Sequence, residues 1–154
     1  MSKWGIGPKM ALITVPYIAL TIIIHSFYKE LFGLSFIPRN IIIIIAFVLL
    51  IAGIIFYLFT VKTFFKGYKE DKLITTGTYA CCRNPIYAVF ILFFVPAISL
   101  FVNSWLCLTT SVFLYIVFKI MIKSEYEYLK NRFGDEYVQY EKKVNELIPF
   151  PDNL

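Results

Sequence analysis

A carboxylate, a guanidinium and several tyrosines stand at intervals that could build one polar site. The first group is the run Gly77-Thr78-Tyr79-Ala80-Cys81-Cys82-Arg83-Asn84-Pro85-Ile86-Tyr87, at the mouth of a long apolar stretch. The second starts at Glu125 and continues through Leu129 and Phe133-Gly134-Asp135-Glu136-Tyr137-Val138-Gln139-Tyr140 to Ile148-Pro149. A carboxylate such as Glu125 can hold an ammonium. Arg83 or a peptide N–H can hold a carboxylate, and the faces of Tyr79 and Tyr87 can take a cation or an apolar ring. Metal chemistry is not expected. The three cysteines and the single histidine, His25, have no ligand spacing, and neighbouring Cys81 and Cys82 do not make a disulfide framework. Cys81 and Cys82 read as buried small hydrophobes beside the site. His25 lies in an apolar run and reads as a packing or interface residue.

Each polar candidate also has a plainer reading. Glu125 has Lys123, Glu127 and Lys130 near it, which fits a solvated helix face with ion pairs. Arg83-Asn84-Pro85-x-Tyr87 fits a helix start: Asn84 as N-cap, Pro85 in the first turn, Arg83 reaching for water and Tyr87 in an aromatic belt. Leu73 and Ile74 fit a loop that dips an apolar pair into a membrane interface.

The elements that must position these residues are helices in a bilayer. The chain has 154 residues, of which 59% are hydrophobic and 16% charged, and its mean hydropathy is +0.73. A water-soluble domain of this length has too little interior for that apolar surface. No cleavable signal pattern follows the first apolar stretch, which reads as retained. The run Asn84–Phe118 holds no charge over 35 residues. One helix of that length would span about 50 Å, too long for a single crossing of a ~30 Å core. A hairpin broken at Asn103-Ser104 fits better. The expected fold is therefore all-α: an integral-membrane bundle with spans near 10–28, 41–62, 86–102 and 105–122, forming one domain over 1–154. A loop at 63–85 would carry the first polar group. Tyr126, Leu129, Phe133, Tyr137, Tyr140, Val144 and Leu147 recur at steps of three and four, which predicts an amphipathic tail helix over 123–147, broken at Gly134 and restarted by Asp135.

Thirteen of the fifteen basic residues fall on the N-terminal segment, the 62–85 loop and the tail; only Lys29 and Arg39 fall on the other side. The positive-inside rule then puts both termini and the loop in the cytoplasm. This asymmetry and anionic lipid headgroups account for the net charge of +5 without a nucleic-acid partner.

Order and spacing of the two polar groups resemble the isoprenylcysteine carboxyl methyltransferase and phospholipid methyltransferase superfamily, over roughly residues 60–150. The resemblance implies an S-adenosylmethionine-dependent membrane enzyme that methylates a lipophilic acceptor among membrane lipids. It implies a cofactor site of Leu73, Ile74, Tyr79, Asn84, Pro85, Ile86, Tyr87 and Glu125. The stretch Asp71-Lys72-Leu73-Ile74 would floor the adenine slot, and Arg83 and Tyr87 are the candidates for a catalytic part. Three departures stand out. Asn84 replaces the family's usual histidine and cannot titrate near pH 7. Tyr126 replaces a second glutamate. Met121 replaces an arginine that faces the substrate carboxylate, so a prenylcysteine carboxylate is not carried over as substrate. Two other classes remain open: an NADPH-dependent membrane enone or sterol reductase, and a non-enzymatic membrane scaffold.

Overall fold

A computed structural model describes residues 5–70 and 72–149. Asp71, and Lys3 of the basic set, lie outside the described residues. The helices are α1 (Gly7–Phe27), α2 (Lys29–Phe32), α3 (Arg39–Glu70), α4 (Thr78–Cys81), α5 (Pro85–Ala88), α6 (Val95–Val102), α7 (Trp105–Phe133) and α8 (Asp135–Lys143). A π-helical segment, Val89–Phe94, joins α5 to α6. Among the described residues there is no β-strand, only an isolated bridge between Gly33 and Ser104.

Four helical stretches are long and apolar enough to cross a membrane: Gly7–Phe27, Arg39–Gly67, Pro85–Val102 and Trp105–Phe133. At most a third of each is buried inside the bundle. The rest is apolar and faces outward, as at Leu12, Val48, Leu58 and Ile120. Lipid is the solvent that such a surface requires, and the chain is a multi-pass membrane protein.

The hairpin breaks where the polar pair stands. Asn103 takes the left-handed conformation at φ 62°, and Ser104 caps α7 by accepting from the Cys107 N–H at 3.2 Å. Arg39 closes this end of the bundle by donating to the Leu100 and Phe101 carbonyls at 3.0 and 2.7 Å. Both carbonyls lie in the last turn of α6, where Leu100 also accepts the Asn103 N–H at 3.0 Å, and a cation at a helix C-terminus is well placed. Trp105 donates to the Leu31 carbonyl at 3.1 Å and stitches the 28–38 connection to the same turn.

Packing follows the sequence of small and aromatic residues. The Tyr17 and Phe113 rings stack at 4.2 Å between α1 and α7, and the Tyr17 hydroxyl bonds Thr109 at 2.9 Å. Thr109 spends its own proton on the Leu106 carbonyl, so Tyr17 is the donor. Gly53 lets α3 approach the π segment closely: a methyl group there would stand 2.8 Å from Phe93 Cβ. The π segment itself precedes Pro96, whose ring would clash with the Leu92 carbonyl in a regular α-turn. A wider turn removes that clash.

Three boundaries differ from the sequence expectation. The loop expected at 63–85 begins as helix, because α3 runs on to Glu70; Gly67 does not stop it, being the seat on which Ile74 packs. The tail expected at 123–147 is not separate from the last span. α7 is continuous to Phe133, since no proline or glycine interrupts it before Gly134. The helix after Gly134 ends at Lys143 rather than 147, and Val144 is extended at φ −127°, ψ 129°. The carbonyls beyond it are taken up by the first polar group instead, as described next.

Candidate active site

The two polar groups meet at the end of the bundle opposite Asn103-Ser104. The connection after α3 is pinned back on that helix by two glycines. Ile74 lies against Gly67, and Gly77, at φ +61°, lies against Thr63, where a methyl group would stand 2.7 Å from the Thr63 hydroxyl. This pinning sets α4 and then α5 at the mouth of the bundle. Pro85 is the first buried residue of α5, as a helix start requires.

Asn84 occupies the N-cap position but does not cap: its side chain makes no capping bond. Instead its amide donates to the Tyr126 hydroxyl at 2.5 Å and to the Glu146 carbonyl at 2.9 Å. Tyr126 passes its own proton to Glu146 Oε1 at 3.1 Å, and Lys119 pairs with Glu146 Oε2 at 2.7 Å. Arg83 clamps the tail in three ways. Its peptide N–H donates to the Asn145 carbonyl at 2.8 Å, its guanidinium bonds Glu141 at 2.5 Å, and its charge lies 4.9 Å from the Tyr126 ring centre. Tyr140 adds a bond to the Tyr79 carbonyl at 2.6 Å. The tail thus folds over the mouth as a cover.

Beneath the cover lies the pair with chemical potential. The Tyr87 hydroxyl donates to Glu125 Oε2 at 3.2 Å, and the Tyr87 ring stands 5.4 Å from Phe118. The chain start closes on the same pair. A methyl group at Gly5, which has φ +55°, would stand 2.6 Å from Glu125 Oε1 and 2.9 Å from the Tyr87 hydroxyl. Only glycine meets both the backbone angle and the close approach. Tyr79 is near enough to feel both partners. Burial first, then Tyr87 and Glu125, push its hydroxyl well above the ordinary tyrosine range. Burial pushes Tyr137 up to about 12 while Arg83 pulls the other way. Burial opposes the charge of Arg83, and the bond to Glu141 together with the nearby Tyr126, Tyr137 and Glu141 charges outweighs it, leaving the guanidinium above its ordinary value.

Of the residues the sequence singled out, Tyr79, Tyr87 and Glu125 come together. Asn84 and Arg83 belong to the adjoining clamp on the tail. Ile74 packs on α3, Leu73 and Ile86 are half-buried, and Pro85 starts α5. Sequence reasoning missed Gly5 and Glu146, and read Tyr126 as a tail-helix residue and a departure, not as a partner of Asn84. Their roles depend on which segments the fold brings together, and a single glycine or tail glutamate carries no local signal for that.

Residues 31–136 match the phospholipid methyltransferase family. The chain belongs to that family. Its curated relatives include the protein-S-isoprenylcysteine O-methyltransferase of Schizosaccharomyces pombe, 38% identical over 84 residues. That match covers 54% of this chain and 36% of the relative. Protein-S-isoprenylcysteine O-methyltransferase B of Arabidopsis thaliana is 33% identical over 82 residues, or 53% of this chain and 42% of the relative. The Saccharomyces cerevisiae enzyme of the same name is 32% identical over 93 residues, or 58% and 37%. These alignments take in about two-fifths of the relatives' length. No solved structure matches. The phospholipid methyltransferase match takes in Tyr79, Asn84, Tyr87 and Glu125 but stops before Glu141 and Glu146, and Gly5 precedes it.

Proposed function

We propose that this chain transfers a methyl group from S-adenosylmethionine to a lipophilic acceptor at the cytoplasmic face of a membrane. The observation that carries the reading is the Tyr87–Glu125 pair, with Tyr79 beside it, assembled from the two ends of the motif. The residues suit the cofactor. A half-buried carboxylate fits an ammonium, and the electron-rich faces of Tyr79 and Tyr87 fit a sulfonium. Arg83 is already engaged by Glu141, so the peptide N–H groups near α4 are the better partners for a carboxylate.

When bound, the cofactor supplies an electrophilic methyl carbon: one bond forms from the acceptor atom to that carbon, and the S–C bond breaks with its pair kept by sulfur. The protein's part is positional. Tyr87 fixes one oxygen of Glu125, which leaves the other to hold charge. The tail, clamped through Arg83, Asn84 and Tyr140, keeps water from the mouth. Orientation and exclusion of water can supply much of the rate in such a transfer. The basic asymmetry of the sequence supports a cytoplasmic position for this end of the bundle.

The test is binding of radiolabelled S-adenosylmethionine against NADPH to detergent-purified protein, followed by methyl transfer to a lipid extract. Saturable binding of the first alone is expected. Binding of NADPH alone would favour a reductase, and binding of neither would favour a scaffold.

A further inference from the structure

The turn ahead of the first span sits directly on the Tyr87–Glu125 pair. Gly5 packs against Glu125 Oε1, the oxygen that the Tyr87 hydroxyl leaves free. The peptide N–H groups of Ile6 and Gly7 have no helical partner at the start of α1, and they face the Tyr87 hydroxyl. Ile6 is buried and ties the turn to the apolar cluster that holds Cys82, Phe118 and Ile122. The mouth therefore has two covers, one from each end of the chain, and they are held differently. Bonds from Arg83, Asn84 and Tyr140 fasten the tail. The turn is held by one apolar side chain and pivots on Gly5 at φ +55°. It also precedes residues 31–136, the stretch that matches the family, whereas the pair beneath it lies inside that stretch.

We propose that Gly5-Ile6-Gly7 is an autoinhibitory latch: it shuts the free oxygen of Glu125, and the ammonium of the ligand reaches that oxygen by displacing the turn. The proposal rests on the methyltransferase reading for the ligand, but not for the latch. An ammonium bonded to a carboxylate stands about 2.7–2.9 Å from the oxygen. On this side Gly5 already fills that place, since a methyl group on it would be 2.6 Å from Oε1. Among the described residues, Tyr87 makes the one side-chain hydrogen bond to Glu125, so the covered oxygen faces a peptide rather than a cation. An arriving ammonium offers a charge-assisted bond where Gly5 offers only contact, which drives the exchange. The affinity for the ligand is then lowered by the fraction of molecules that are latched. Gly5 sets that fraction. An alanine there would meet Glu125 and Tyr87, and its left-handed backbone alone would shift the latch about five- to thirtyfold toward open.

The experiment uses the full chain in lipid nanodiscs and has an arm without ligand and an arm with S-adenosylmethionine. In the first, a water-soluble carbodiimide and a small amine modify carboxylates, and mass spectrometry follows the rate at Glu125. Gly5→Ala should raise that rate about five- to thirtyfold. Gly7→Ala, where the same methyl group meets no atom within 4 Å, should stay within about twofold of the parent. In the second arm, hydrogen exchange is read over residues 5–10 of the unaltered chain. Saturating S-adenosylmethionine should speed exchange there at least about threefold, and Gly5→Ala should bind it more tightly than the parent. An unchanged Glu125 rate in Gly5→Ala would overturn the proposal. So would slower or unchanged exchange over residues 5–10 on binding, or weaker binding by Gly5→Ala, since a fixed wall of the site behaves that way. Faster modification in Gly5→Ala with no binding of S-adenosylmethionine would sink the methyltransferase reading and leave the latch standing. Binding with an unchanged Glu125 rate would do the reverse.

Discussion

Replacing Glu125 by glutamine tests the centre of the site with little disturbance to the fold. Glutamine keeps the volume and an acceptor oxygen, so the 3.2 Å bond from Tyr87 can persist while the charge is lost. Removing one partner of an enclosed, hydrogen-bonded charge pair costs about 2–5 kcal/mol. At about 1.4 kcal/mol per decade, the dissociation constant for S-adenosylmethionine should rise by about 30-fold to more than 1,000-fold. Tyr87→Phe provides the scale. It leaves the charge and removes one orienting bond, for which about 0.5–1.5 kcal/mol, or roughly two- to tenfold, is expected. Calorimetry on purified protein, with circular dichroism to confirm folding, measures both. An unchanged constant for Glu125→Gln would mean that Glu125 is a solvated helix residue. A Tyr87→Phe loss as large as that of Glu125→Gln would mean that the charge does not face the cofactor.

Other consequences of the structure are open to direct measurement. Asn84→Ala removes the donor to both Tyr126 and Glu146, so thermal unfolding in detergent should show a loss of about 1–3 kcal/mol; an unchanged melting profile would show that the tail is held without it. Burial pushes the Cys82 thiol up to about 12, against a lowering contribution from the Asn84 backbone, so maleimide at neutral pH should label Cys81 and spare Cys82. The same shift fixes a sign. The folded value lies above the unfolded one, so the contribution is whole below about pH 8.5 and fades as pH rises toward 12. A stability maximum above pH 10 in a chain lacking other changes would contradict it. Cysteines placed at Thr76 and Phe36 should be labelled from the cytoplasmic and outer sides respectively, and the opposite pattern would invert the proposed orientation.

The spans were legible because charge is absent where lipid must be, and the hairpin break was legible because Asn103-Ser104 is a polar pair inside an uncharged run. Gly134 likewise announced the end of α7. These are local signals: a residue type, a spacing and a backbone preference. Glu125 and Tyr87 were legible only through motif order, since each also fits a plain helix surface. The π segment was not, because it follows from fitting Pro96 and the Phe93–Phe94 pair against Gly53 on another helix. The same holds for Glu146 among many tail charges and for Gly5 ahead of the first span. Their neighbours are far away in sequence, so no window along the chain contains the reason for them.

The clamp on the tail also sets an order of events during synthesis. Tyr140, Glu141 and Glu146 reach partners 61, 58 and 62 residues earlier in the chain. At about 5–20 residues per second, roughly 3–12 s separate the appearance of Tyr79, Arg83 and Asn84 from that of their partners. During that interval Arg83 and Asn84 lack these tail partners, and the mouth of the bundle stays uncovered. A chain cut before Glu141 would keep all four spans and lose the Glu141 and Glu146 partners of Arg83 and Asn84, so its mouth would stay uncovered.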